Sequence, residues 1–216
     1  MRVVKDAEVR KGEILDAAAA LFSQKGFDHT STRDILQAVG IARGTLYHHF
    51  KSKEEIMDAL IARHTERLLA QARQAAQDTA APVEQRVLRT VMALHVDEAE
   101  GTDGKAMLDH LHKPQNALMH QKTKRILLRQ VPQLFCDILK DGIAQGLYET
   151  AYPLECMEMA VCYLDTVLDE DVFELTARQR RVKVEALIWG LERLLGVQAG
   201  RFAFIAQAFG EGDGGA

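Results

Sequence analysis

Between residues 26 and 56 the chain is punctuated by alternating helix stops and helix starts, which leave few ways to fold it. Gly26 and Gly40 are the stops, because glycine readily takes the left-handed conformation that ends a helix. Ser31 followed by Asp34, and Ser52 followed by Glu55, are the starts, each with the spacing of a capping box. One short helix therefore runs from near Thr32 to Val39, and a second from Ala42 or Arg43 to Phe50. Ile35, Ala38 and Val39 give the first an apolar face. Leu46, Tyr47 and Phe50 turn the second back toward its neighbours. The preceding stretch, Lys11 to Gln24, carries Ile14, Ala18, Leu21 and Phe22 at the spacing of one buried helical stripe.

From Ser52 onward Ile56, Leu60, Ile61, His64 and Leu68 continue a helical pattern to about Gln77. At 1.5 Å per residue that helix is roughly 39 Å long, more than a three-helix unit needs, and it reads as a connector. Pro82 stands where a further helix starts, reaching about Val96. Residues 98–105 form a loop, 105–112 a short helix ended by Pro114, and 115–145 a long helix containing Pro132, where a kink is expected. A turn region over 145–153 precedes two final helices, at about 154–169 and 177–197. With four prolines, 47% hydrophobic residues and no sustained alternation of apolar and polar positions, the expected class is all-α. The expected layout is a unit over 1–56 that holds the two short helices, a helical unit over 57–209 and a disordered tail over 210–216. Neither a leader-like apolar run nor a membrane-length apolar window is present, so a cytoplasmic protein with no membrane partner is expected. Cys136, Cys156 and Cys162 form no metal-binding or redox pair and read as buried free thiols.

The final two helices carry more apolar surface than one internal contact needs. Cys156, Met159, Ala160, Tyr163, Leu164, Val167 and Leu168 follow helical spacing, with Met157 and Val161 widening the arc. Val184, Leu187, Ile188, Leu191, Leu194 and Leu195 do the same, with Trp189 beside them. A homodimer through 154–169 and 177–197 is the expected use of the surplus.

Two short helices joined through Gly40 have the lengths and punctuation of a helix-turn-helix, whose second helix enters the DNA major groove. The residue types suit that task. Arg43 offers a charged fork that matches the O6 and N7 acceptors of guanine. Gly44 permits close approach, and Thr45 offers a hydroxyl and a methyl group. Tyr47 and His48 can donate to phosphate, and Lys53 lies in the first turn of the next helix. Ser31 and Thr32 bring hydroxyls and backbone N–H groups to the start of the preceding helix, where anions bind. The chain has a net charge of -4, yet residues 31–53 hold four basic side chains against one acidic. That local excess is what a phosphate-facing surface requires.

The stretch FDHTSTRDILQAVGIARGTLYHHFKSKEEIMDALI resembles the N-terminal domain of TetR-family transcriptional regulators. Its elements here are Thr30 to Thr32, Asp34 with Ile35, Gly40, Gly44 to Phe50, and Lys53 with Glu54, and the resemblance spans roughly 10–62. It implies a homodimeric regulator, most simply a repressor, that binds a palindromic double-stranded DNA operator and is released by a small-molecule effector. It places DNA contacts on Thr32, Arg33, Arg43, Gly44, Thr45, Tyr47, His48 and Lys53, with Leu46 and Phe50 in the core and His49 wedged between helices. Ala42 departs from the family's usual Ser or Thr, so the reading helix lacks its customary N-cap.

An effector-sensing half is then expected. Residues 104–136 hold six Lys/Arg against one acidic residue, together with His110, His112 and His120. His64, His95, Met107, His110 and Met119 are candidate linings for an anionic or polar effector. The simpler reading of the same segment is a solvated helix face paired with acidic neighbours. His110 and His112 diverge by about 200° on a helix, and no phosphate loop, catalytic triad or Cys/His cluster occurs, so no metal, cofactor or enzymatic activity is expected. The alternatives to a regulator are a helical adaptor that has lost DNA binding and a helical-bundle enzyme.

Overall fold

Ser31 begins the first short helix as the sequence requires. Its backbone N–H donates to Asp34 Oδ2 at 2.8 Å, and its hydroxyl accepts from Asp34 N at 3.2 Å. Gly40 ends that helix at φ +68°, with its N–H on the Leu36 carbonyl, in a conformation that side chains with a Cβ rarely take. The computed structural model describes residues 7–94, 117–168 and 173–209, and among these all regular structure is helical. The helices are α1 (Ala7–Lys25), α2 (Thr32–Val39), α3 (Arg43–His49), α4 (Lys53–Gln77), α5 (Val83–Leu94), α6 (Ala117–Ala144), α7 (Pro153–Val167) and α8 (Ala177–Leu194). A 3₁₀ segment, Ala203–Ala208, follows. The loop expected over 98–105, the short helix over 105–112 and the tail over 210–216 lie outside the described residues.

The chain divides into two compact units, Met1–Glu66 with Val96–Gln121, and Arg67–His95 with Lys122–Ala216. In the first, Ile14, Leu15, Ala18 and Phe22 of α1 meet Ile35 of α2, Leu46 and Phe50, and Ile56, Met57, Leu60 and Ile61 of α4. Helices as short as α2 and α3 do not persist alone in water, so this shared core gives them their shape. Each fully buried aliphatic or aromatic side chain contributes roughly 1.5–3 kcal/mol. The second expected capping box forms with an altered partner. Glu55 N donates to Ser52 Oγ at 3.1 Å, while the Glu55 carboxylate accepts from the Lys51 backbone instead of from Ser52.

The second unit centres on Ala76, Val83, Val87, Ile138, Leu139, Tyr148, Cys156, Met157, Val184, Ile188, Leu195 and Phe202. Arg86 is buried in it. Its guanidinium donates to the Ala76 carbonyl near the end of α4, and to Asp141 Oδ2 at 2.6 Å. A carbonyl in the last turn of a helix has no partner within the helix, and Arg86 supplies one. α6 runs as continuous helix through Pro132. At Gly142 it meets the Tyr148 ring, so closely that a Cβ there would stand 2.4 Å from two ring carbons. Among the described residues, no helix is long and apolar enough to cross a membrane.

Cys136 and Cys156 are buried as expected, but Cys162 is exposed. It lies one turn beyond the exposed Met159 on α7, so the apolar arc read from the sequence is wider than the face that α7 buries.

Candidate functional site

α3 sorts its residues sharply between two environments. Leu46, 1% exposed, and the adjoining Phe50, 3% exposed, enter the core. Arg43, Gly44, Tyr47 and His48 face outward, and Thr45 and His49 are half-buried. The Arg43 guanidinium lies 5.3 Å from the Tyr47 ring centre, and the His48 and His49 rings meet edge-on at 5.3 Å. The outward side of α3 thus presents a guanidinium, a phenol and an imidazole around a glycine. These are donors for phosphate and base edges. Ala42 takes the N-cap position, with φ -73° and ψ 150°, and gives α3 no side-chain cap.

The start of α2 lies on the same short segment of chain. Arg33 is exposed and Thr32 half-buried. The Ser31 hydroxyl lies 2.6 Å from Asp34 Oδ2, and Lys25 Nζ lies 3.2 Å from Asp34 Oδ1. Hydrogen bonds from the Ser31 hydroxyl and backbone, assisted by Lys25, pull the Asp34 carboxyl down to about 2. Asp34 is therefore ionised at neutral pH and partnered by Lys25, which offsets the one acidic charge in this segment. Ser31 is engaged as a helix start. Lys53 is also engaged, its ammonium donating to the Phe27 carbonyl at 2.7 Å.

Of the candidate effector residues, His95, Met107 and His110 lie outside the described residues, as does the Met119 side chain. His64 is half-buried on α4, within the first unit. Among the described residues, no group of three or more His, Cys, Asp or Glu is placed to hold a metal ion.

The second unit contains an apolar recess that the sequence reading did not single out. It is walled by Val87 and Val91 of α5, Phe135 and Leu139 of α6, one face each of α7 and α8, and Phe202, Ile205 and Phe209 from the C-terminal segment. Two polar ties hold that segment in place. Phe202 N donates to Oε1 of the buried Glu192 at 2.9 Å, and Arg201 pairs with Glu84 of α5. The signal available in the sequence was the spacing of Phe202, Phe204, Ile205 and Phe209 after the last long helix. Close to a glycine-rich end, that cluster is easily passed over.

α7 and α8 also turn apolar side chains to the outside. Met159, Val182, Leu194 and Trp189, the last 56% exposed, are uncovered, and the Arg193 guanidinium lies 3.7 Å from the Trp189 ring centre.

Residues 14–60 match the profile described as "Bacterial regulatory proteins, tetR family", and residues 102–188 match "Tetracyclin repressor-like, C-terminal domain". The chain is 30% identical over 158 residues to the HTH-type transcriptional repressor KstR2 of Mycobacterium tuberculosis (strain ATCC 25618 / H37Rv), covering 68% of this chain and 73% of the relative. It is 42% identical over 69 residues to the HTH-type transcriptional regulator UidR of Escherichia coli (strain K12), covering 32% of this chain and 35% of the relative. Among solved structures, Salmonella enterica GusR superposes with a TM-score of 0.57 at 23% identity, over 90% of this chain and 100% of that one.

Proposed function

The chain belongs to the TetR family of bacterial regulatory proteins, and from that premise we propose a homodimeric repressor, released from its operator by a small molecule. The transcriptional regulator is the family's part of this reading; the dimer, the operator and the residue roles are the proposal.

The observation that carries it is the division of α3, with Leu46 and Phe50 in the core and Arg43, Gly44, Tyr47 and His48 outside. In this proposal α3 enters the major groove. Arg43 forks onto a guanine, Thr45 and Gly44 allow close approach, and Tyr47, His48, Thr32 and Arg33 hold phosphates. Ser31 keeps the start of α2 in shape, and Ala42 sets the start of α3. Lys53 braces the unit through Phe27 and keeps further ammonium hydrogens for phosphate. Two copies joined through the outer faces of α7 and α8 bring two α3 helices to half-sites of a palindrome, roughly 34–36 Å apart. Exposed Met159, Val182, Trp189 and Leu194 support those faces as the joint. An effector in the second unit then shifts the population away from the DNA-competent dimer, in the cytoplasm.

The test is a mobility shift on DNA flanking the chain's own gene, titrated with salt, beside sedimentation of the wild type and Trp189→Glu. Specific binding by a dimer, with affinity falling as salt rises, is expected, and Trp189→Glu should sediment as a monomer. Equal affinity for random DNA, or a monomeric wild type, overturns the proposal.

A further inference from the structure

The second unit carries a cationic face outside the helix-turn-helix. On α6, Lys122, Arg125, Ile126, Arg129 and Gln133 recur at helical spacing, all within an arc of about 100°. The three cations are exposed, and Ile126 is 42% exposed among them. Of the four described cations in the basic segment read from the sequence, Lys124 alone has an acidic neighbour, its Nζ lying 3.2 Å from Asp165 Oδ2. Among the described residues, Lys122, Arg125 and Arg129 have no ion-pair partner.

The surroundings add to this charge. α6 holds no carboxylate before Asp137, which Gln133 and Lys140 already engage. α4 meets the same helix, Arg73 Nη1 donating to Gln130 Oε1 at 2.9 Å, and has no carboxylate between Arg67 and Gln77. Like charges three and four residues apart on one helix repel, so the fold gains nothing from the arrangement. In a chain of net charge -4, such a face is suited to attract a polyanion.

The kind of polyanion follows from what accompanies the charge. Surfaces built for protein partners have an apolar, aromatic core from which lysine is depleted. Here one isoleucine stands among three cations and a glutamine. Surfaces built for a duplex are basic and polar, with no need of an apolar centre. Lys122 to Arg129 spans about 10 Å of helix, and the same length of duplex carries about six phosphate charges. Arginine can fork onto one phosphate, and lysine serves as a point charge. Neither contact reads a base.

We infer that this face of α6 is a second DNA-binding surface, which takes the phosphate backbone of a duplex without regard to sequence. It rests on the reading of the chain as a DNA-binding regulator and is separate from the operator contacts assigned to α3.

The test compares full-length wild type with Arg125→Gln/Arg129→Gln, and with Arg89→Gln/Lys140→Gln. The latter pair removes the same charge from cations that are partnered by Asp78 and Asp137. Each protein is titrated with salt on duplex DNA flanking its own gene and on random duplex of equal length. For the α6 variant the slope of log affinity against log salt should fall by about 2 per protomer on both duplexes, with the preference between them unchanged. Arg89→Gln/Lys140→Gln should keep the wild-type slope, as should Arg125→Lys/Arg129→Lys, which retains the charge. Amine acetylation gives a readout without variants: duplex DNA should protect Lys122 and leave Lys140 reactive. A wild-type slope in the α6 variant, an unprotected Lys122, or a loss confined to the flanking DNA would each overturn the inference. A wild-type slope combined with lost binding to poly-L-glutamate would overturn it in favour of an acidic protein partner. Equal wild-type affinity for both duplexes, with a slope that the α6 variant lowers, sinks the regulator reading and leaves this inference standing. Absence of any DNA binding sinks both.

Discussion

Lys53 and Phe27 are joined twice: the Lys53 ammonium donates to the Phe27 carbonyl at 2.7 Å and lies 4.1 Å from the centre of the same residue's ring. The first turn of α4 is thereby fastened to the chain between α1 and α2. Charge-assisted hydrogen bonds of this kind are stronger than neutral ones, and the ring adds a cation–π attraction.

Lys53→Met keeps the aliphatic stem and removes the donor. It should lower the unfolding free energy by about 1–3 kcal/mol, read by urea denaturation. If Lys53 also meets a phosphate, the slope of log affinity against log salt should fall by about 1. A stability loss with an unchanged slope assigns Lys53 to bracing alone.

Arg43→Ala removes an exposed side chain, so the fold should survive. Operator affinity should drop by about 1–3 kcal/mol, with preference relaxed at one base pair per half-site. Competition across operators substituted one pair at a time checks this. Equal losses on specific and random DNA would show a phosphate contact instead.

Ala42→Ser places a hydroxyl where the backbone already has N-cap geometry. A gain of about 0.5–2 kcal/mol is expected, with slower amide exchange across α3. Unchanged exchange there would mean that packing of Leu46 and Phe50 already sets the stability of the helix.

Tyr148 is buried, and its hydroxyl has no hydrogen-bond partner among the described residues. Burial, with Glu84 nearby, pushes its ionisation up to about 12 from an ordinary 10. The folded state therefore favours the neutral phenol more than the unfolded state does. That contribution is complete below pH 10 and is lost as pH rises toward 12. Tyr148→Phe should match or exceed the wild type near pH 7 and lose less stability between pH 9 and 11, as thermal melts would show. Parallel curves for the two proteins would contradict this.

Gly142→Ala should cost about 1–3 kcal/mol, because the added methyl needs the space of the Tyr148 ring. Combined with Tyr148→Ala, the same change should cost much less than alone. A double-mutant cycle reads the difference.

The first unit was legible because its signals are local. A Ser three residues before an Asp, or a Gly after an apolar run, specifies a helix end without reference to distant chain. The outward set on α3 follows from Leu46 and Phe50 facing the core. The engagement of Lys53 was less legible, since Phe27 lies 26 residues before it. The recess was illegible for the same reason in stronger form. Its walls come from α5, α6, α7, α8 and the C-terminal segment, and no short window shows that Phe202 meets Tyr148 and Glu192. The apolar faces of α7 and α8 were visible, but only packing decides that Met157 and Ile188 turn in while Met159 and Trp189 turn out.

The bond from Phe202 to Glu192 also bears on the order in which the protein is made. Synthesis runs from the N-terminus, and domains generally fold as units while it proceeds. α1 to α4 can assemble their core as soon as Ile61 has emerged. The second unit has to wait for residues beyond 200, because Phe202, Ile205 and Phe209 form one wall of its recess. During that interval Val87, Leu139 and Ile188 lack the cover of that wall, so a newly made chain passes through a stage in which its apolar interior is open on one side.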